Sequence, residues 1–283
     1  MRWPRRTLLP LVLLTLVPGC RRPPKPPRGP EASLTLKGSD TLVILGQRWA
    51  EDFMKAHPDA HLQVTGGGSG TGIAALIHGS TDIAMTSRPL QEDERARVRQ
   101  RSPQGPVEIP VARDAIAFYV HEGNPVTTLT LAQLRGIYLG DLRSWKDVGG
   151  PDAPIIVYAR ESSSGTYLYV KQQLLGGQDF TERAQPLPGT AAVVNAVSLE
   201  KNGIGFGGAA YLRGVKALSL GASAQSAVAL SPESLRAGTY PLGRALYFAL
   251  ARPPTGLAKD FIDQALSEPG QRLVVETGFF PVR

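Results

Sequence analysis

The chain has 283 residues, 42% of them hydrophobic and 19% charged, ordinary globular composition for one large domain or two of moderate size. Its formal net charge of +7 sits in the first thirty residues, where Arg2, Arg5, Arg6, Arg21, Arg22, Lys25 and Arg28 have no acid among them; the remainder carries 24 basic and 24 acidic residues. A neutral body gives the high isoelectric point no meaning for nucleic-acid binding, and a single cysteine leaves no disulfide to staple the fold.

In chain order, residues 1–19 read as an export signal. "MRWPRR" is a basic leader and "TLLPLVLLTLV" an apolar run too short for a comfortable membrane span of about 20 residues. "VPGC" then places Cys20 at the cleavage point. This resembles a bacterial lipobox, with Cys20 as the lipid attachment; a plain secretory signal with an incidental cysteine is the alternative. Residues 20–30 contain "RRPPKPPRGP", whose five prolines favour extended polyproline II and whose four basic residues suit anionic headgroups, so they read as a tether.

From Leu34 onward short apolar runs alternate with amphipathic stretches. "SLTLKG" predicts a strand, and Leu42, Leu45, Trp49 and Phe53 fall at helical spacing until His57-Pro58 stops them. "HLQVT" and "DIAMTS" predict strands on either side of a helix starting at Ile73. "EDERARVRQR", Glu92 to Arg101, places acids first and arginines last, as the macrodipole of a solvated helix prefers. After "IPVARDAIAFYV" the pattern resumes: a helix through Leu131, Leu134 and Tyr138, the strand "PIIVYAR", the helix "TYLYVKQQLL", and "TAAVVNAVSLEKNG" as a helix closed by Gly203. "IGFGG", "VKALSL" and "RALYFAL" read as strands, and the last stretch as one broken helix or two, with Pro269 as the break. The alternation predicts an α/β protein with largely parallel sheets, divided between two lobes.

Three stretches share one design, a strand, then Ser, Thr and Gly, then a helix. They are "KGSDTL" (Lys37 to Leu42), "GGGSGTGI" (Gly66 to Ile73) and "RESSSGTY" (Arg160 to Tyr167). Each puts hydroxyls and backbone N–H groups at a helix N-terminus, which attracts anions, and glycine lets a ligand approach the backbone. Any one of them alone reads as well as a cap or a turn; together they suggest an oxyanion cradle. Rival motifs fit less well. Gly67 and Gly72 have the glycine spacing of a nucleotide P-loop, but Ile73 stands where its lysine belongs, and Thr71 denies Ser69 the last glycine of a nucleophile elbow. "GTGIAA" matches a dinucleotide turn, yet the next strand ends in Ser87 and Arg88 instead of an acid. His57, His61, His78 and His121 form no metal-ligand spacing, so no metal and no cofactor is expected.

These loops, in this order, resemble the phosphate-binding proteins of the bacterial phosphate ABC importer. The resemblance runs from Leu34 to Val282 and is carried by "WAEDFMKAHPDAHLQVTGGGSGTGIAALIHGSTDIAMTSRP", "LTLAQLRGIYLGDLRSWKDVGG", "YARESSSGTY", "LPGTAAVVNAV" and "GTYPLGRALYFA". It implies a type II periplasmic-binding-protein fold: two mixed, mostly parallel sheets in two lobes joined by crossovers near Ala112–Ala115 and Thr239–Arg244. The lobes are expected at 31–113 plus 239–283 and at 114–238. The implied ligand is inorganic phosphate, held by Ser39, Asp40 and Thr41, by Ser69, and by Arg160, Ser164, Gly165 and Thr166. The glycines then open a path for it to a helix N-terminus.

One departure bears on selectivity. In the better-known members of this family the strand after the glycine loop ends in an aspartate that takes the proton of hydrogen phosphate; here Ser87 stands there, followed by Arg88. Asp40 is the candidate replacement, with capping of the Thr41 helix as its ordinary alternative, and Arg88 adds charge or locks the loop. The resemblance further implies a lipid-anchored monomer facing the periplasm or cell exterior that serves the membrane subunits of a permease and catalyses nothing. Capture of sulfate or molybdate, surface sensing, and a secreted phosphate-ester hydrolase are the alternatives. The last lacks a nucleophile with a base or a two-metal cluster.

Overall fold

The computed structural model describes residues 32–282. The signal, the tether and Cys20 lie outside the described residues. In chain order the first third contains β1 (Ala32–Gly38), α1 (Val43–Ala56), β2 (Ala60–Thr65), α2 (Ser69–His78), β3 (Ile83–Thr86) and α3 (Glu92–Arg101). The middle contains β4 (Val107–Val120), β5 (Thr128–Thr130), α4 (Leu131–Leu139), β6 (Ile156–Arg160), α5 (Gly165–Gln173), β7 (Gln185–Leu187) and α6 (Gly189–Leu199). The rest is β8 (Gly203–Gly208), β9 (Lys216–Ala217), β10 (Ser219–Gly221), α7 (Pro232–Arg236), β11 (Gly243–Leu250), α8 (Gly256–Leu266) and α9 (Glu268–Glu276).

Helix α1 forms because Leu45, Trp49 and Phe53 line one face, and that face is buried. Trp49 also donates its indole N–H to the Gly270 carbonyl at 2.9 Å, which ties α1 to α9. In α3 only Val98 is buried, and Glu94 reaches back to the Gln91 N–H at 2.7 Å to close the first turn. Pro269 sits in the first turn of α9, where a missing N–H breaks no helical bond, and Ser267 caps that turn. Gly203 differs from expectation. Helix α6 ends at Leu199 with the Glu200 N–H bonded to the Ala196 carbonyl, and Gly203 opens β8 instead of closing the helix.

The strands fall into two sheets that share β4. They form one hydrogen-bonded path in the order β2-β1-β3-β11-β4-β8-β6-β7, with β9 on β4 and a small β10-β5 pair apart. The reason is the length of β4. Its 14 residues pair antiparallel with β11 as far as Ala115 and then, from Ile116, with β8. The parallel pairs β1-β2, β1-β3, β6-β8 and β6-β7 lie on either side of this antiparallel centre.

The core divides where β4 changes partner. One cluster gathers Leu36, Trp49, Phe53, Val111, Ala112, Leu246, Phe248 and Phe261; another gathers Ile116, Phe118, Tyr138, Trp145, Phe206, Tyr240 and Leu242. Asp114 on β4 and Arg244 on β11 stand at that seam, paired in register. The architecture is the two-lobed periplasmic-binding-protein type. No helix among the described residues is long and apolar enough to cross a membrane.

Candidate functional site

The three glycine-and-hydroxyl loops meet. Each follows the C-terminal end of a strand, β1, β2 or β6, and leads into α1, α2 or α5. In parallel α/β sheets that edge is where ligands bind. The Gly70 N–H donates to the Ser163 carbonyl at 2.9 Å, and the Thr41 and Thr166 hydroxyl oxygens stand 3.3 Å apart, so all three loops are in contact. The end of β3 joins them through Ser87, whose N–H donates to the Ser69 hydroxyl at 3.0 Å and whose own hydroxyl lies 3.1 Å from it.

Glycine is required here by close approach. A Cβ on Gly68, which has φ +90°, would lie 2.5 Å from the Ser163 carbonyl oxygen, and one on Gly165 would lie 2.3 Å from the Ser69 hydroxyl and 2.6 Å from that of Ser87. The space these glycines leave is taken by the chain's own atoms, which corrects the expectation that they serve chiefly to open a path for a ligand. They let the loops touch.

The hydroxyls are oriented by what they accept. Ser69 accepts from the Ser87 N–H, and Ser164 caps α5 by accepting from the Tyr167 N–H at 3.2 Å. A hydroxyl that accepts from a fixed donor keeps its single proton for another acceptor. Gly165 and Thr166 begin α5, so their N–H groups lie in the turn for which the helix supplies no carbonyl. Ser69, Ser87, Ser164 and Thr166 are all 3% exposed or less. The cluster is therefore a buried set of donors, suited to the unprotonated oxygens of an oxyanion.

Two buried arginines frame it, each with a carboxylate. Arg160, 2% exposed, ends β6 and donates to the Asp40 carboxylate at 2.6 Å and to the Thr190 hydroxyl at 2.9 Å; its Nε is buried with no acceptor among the described residues. Burial pulls this guanidinium below its ordinary value, and the Asp40 carboxylate opposes the shift. Arg244 donates through Nε and Nη2 to Asp114 at 3.1 and 2.8 Å. Burial raises the Asp114 carboxyl above its ordinary 3.8, against the pull of Arg244 and of the Ala209 N–H. The two pairs cancel in charge, so an anion would be held by hydrogen bonds and oriented dipoles.

Asp40 does not cap α1, whose N-cap is Leu42 with no side-chain bond. Its carboxylate instead accepts from the Gly67 N–H at 2.8 Å and from Arg160, and the Tyr211 hydroxyl donates to its backbone carbonyl at 2.7 Å. Ser39 is buried in the same turn, but its N–H is committed to the Met85 carbonyl at 2.8 Å. Arg88 stands apart. Both its terminal nitrogens hold Glu94, at 2.6 and 2.7 Å, and one also donates to the Pro89 carbonyl, so it fastens the loop before α3. Asp114, Thr190 and Arg244 join the site without having been singled out in the sequence.

Removing one neutral member should have a modest effect. Ser69→Ala is expected to weaken oxyanion binding by about 1–2 kcal/mol, measured by calorimetry, since the Ser87 N–H loses its acceptor along with the ligand contact.

Comparison with known proteins gives one direction. A PBP superfamily domain matches residues 25–269. The chain is 34% identical over 272 residues to the phosphate-binding protein PstS of Pseudomonas aeruginosa, covering 90% of this chain and 84% of that one. Among solved structures it is similar to a candidate phosphate ABC transporter substrate-binding protein of Clostridium perfringens with bound phosphate, at TM-score 0.79 and 30% identity over 89% of this chain and 100% of that one. An ABC-type phosphate transport receptor of Vibrio cholerae gives TM-score 0.70 and 31% identity over 87% of this chain and 99% of that one.

Proposed function

The chain belongs to the PBP superfamily, and from that premise we propose that it binds inorganic phosphate between two lobes and delivers it to an ABC-type permease without catalysing a reaction. The observation that carries the reading is the meeting of Ser69, Ser87, Ser164, Thr41 and Thr166 beside Arg160, in a buried set of donors that two ion pairs leave without net charge. The relatives named above, a phosphate-binding protein and a structure holding phosphate, support the choice of ion. The lobes are 31–113 plus 239–283 and 114–238; the break in the core at Asp114 supports the first boundary, while Tyr240 and Leu242 pack in the core of the second lobe and move the second boundary toward Arg244. The protein works as an exported monomer, anchored through lipid on Cys20 and tethered by residues 20–30, facing the membrane subunits of its permease.

Selection of phosphate needs an acceptor for its proton, because sulfate at neutral pH has none to give. Asp40 supplies it. Its carboxylate already accepts from the Gly67 N–H and from Arg160, and each oxygen keeps a lone pair. A carboxylate beside a dianion with no shared proton is repulsive, so the same group rejects sulfate. Asp40→Asn is expected to shrink the preference for phosphate over sulfate by about tenfold or more in a competition titration. An unchanged preference removes Asp40 from this role.

A further inference from the structure

Arg244 makes more hydrogen bonds than a charge partner for Asp114 requires. Beyond Asp114, its Nη1 donates to the Thr166 hydroxyl at 3.0 Å and to the Ser87 carbonyl at 3.2 Å, and its Nη2 to the Thr41 hydroxyl at 3.3 Å. Its carbon lies 5.7 Å from the centre of the Tyr169 ring, and the Tyr169 hydroxyl donates to the Gly243 carbonyl at 2.9 Å, so the α5 side of the site is fastened to β11. One planar group thus touches the loop before α1, the first turn of α5, the end of β3, and the strand β4.

We propose that Arg244, fixed by Asp114, is a positioning residue that turns the Thr41 and Thr166 hydroxyls into obligate donors toward the bound anion. This rests on the phosphate-binding reading. A guanidinium has five N–H donors and no acceptor. Each threonine hydroxyl that accepts from it can direct its own proton elsewhere. With the oxygens 3.3 Å apart, one can give that proton to the other, while an anion oxygen beside them can take both. The threonine wall then reads an unprotonated ligand oxygen, and the Asp40 wall reads the protonated one. Hydrogen phosphate enters in one orientation. Lysine cannot replace Arg244 here, because a single ammonium cannot hold Asp114, Ser87 and both hydroxyls in one plane.

The test is a set of double-mutant cycles on the full chain, with phosphate affinity read by calorimetry and folding by thermal melting. R244K keeps the charge beside Asp114 and is expected to weaken phosphate binding by about tenfold to a hundredfold. In a T41V or a T166V background, that further loss should shrink by about threefold or more, since the group being oriented is gone. An equal loss in every background would mean that Arg244 is only a strut, and would overturn the proposal. If R244K does not fold, the D114N/R244Q pair removes both charges together and goes through the same cycles, with the same result expected and the same result contradicting it. A wild-type protein that binds no phosphate would overturn the functional reading along with this one; a wild type that binds, with additive losses, overturns only the orienting role.

Discussion

Arg160→Gln is expected to weaken phosphate binding by about 3–5 kcal/mol, roughly a hundredfold to a few thousandfold in affinity. Three features of the residue set that size. Its guanidinium is almost fully buried at the end of β6, so the charge it supplies is poorly screened. Its Nε is a buried donor with no acceptor among the described residues, a position that an anion oxygen can satisfy. Its Nη2 neutralises Asp40 at 2.6 Å, so glutamine leaves that carboxylate facing the dianion with its countercharge gone. The loss is therefore expected to exceed that of Ser69→Ala, which removes a neutral donor and breaks no ion pair. Arg160→Lys should fall between the two, because it keeps the charge and loses the fork that joins Asp40 to Thr190. Titration calorimetry orders the three variants, and a loss under tenfold for Arg160→Gln would contradict the assignment.

Gly165→Ala is expected to produce a comparable loss by a different route. The added methyl carbon would stand 2.3 Å from the Ser69 hydroxyl oxygen and 2.6 Å from that of Ser87, well inside van der Waals contact. Gly165 is the first residue of α5 and has no left-handed φ, so alanine suits its local conformation and favours the helix. The clash is thus confined to the approach of α5 toward the glycine loop and the end of β3. Phosphate affinity should fall about a hundredfold or more, while the melting temperature moves by only a few degrees. A variant that binds phosphate as tightly as the wild type would show that these loops need not touch for the anion to be held.

Most elements can be read from the sequence because their patterns are local. The face of Leu45, Trp49 and Phe53, the acid-to-arginine order of Glu92 to Arg101, and the apolar alternation of "HLQVT" each give the element seen. The three loops could be recognised as a set, since one Ser/Thr/Gly cluster between strand and helix reads as well as a cap or a turn, whereas three in one chain do not. What stayed hidden is long-range. Arg160 finds Asp40 across 120 residues and Arg244 finds Asp114 across 130, separations that no spacing rule covers. A signal was present nonetheless. Asp114 interrupts "VARDAIAFYV" and Arg244 opens "RALYFAL", and a charge inside an otherwise apolar strand has to find a partner when buried. Thr190 carried no comparable signal, being one more hydroxyl near a helix start. The pattern of "IPVARDAIAFYV" reads as one strand and does not by itself announce a change of partner at Ile116; the crossover expected near Ala112–Ala115 came from the family resemblance. Gly203 misled for a related reason: a glycine after a helix suits a C-terminal stop and the first residue of a buried strand equally well.

Segments far apart in the chain close on one partly protonated tetrahedral anion and, in this reading, hold it without net charge of their own. Parallel calorimetric titrations of the purified protein with phosphate, sulfate and molybdate at neutral pH test it most directly. The predicted result is saturable one-to-one binding of phosphate, with sulfate and molybdate binding much more weakly or not at all. Sulfate binding as tightly as phosphate, or no heat from any of the three ions, would contradict it.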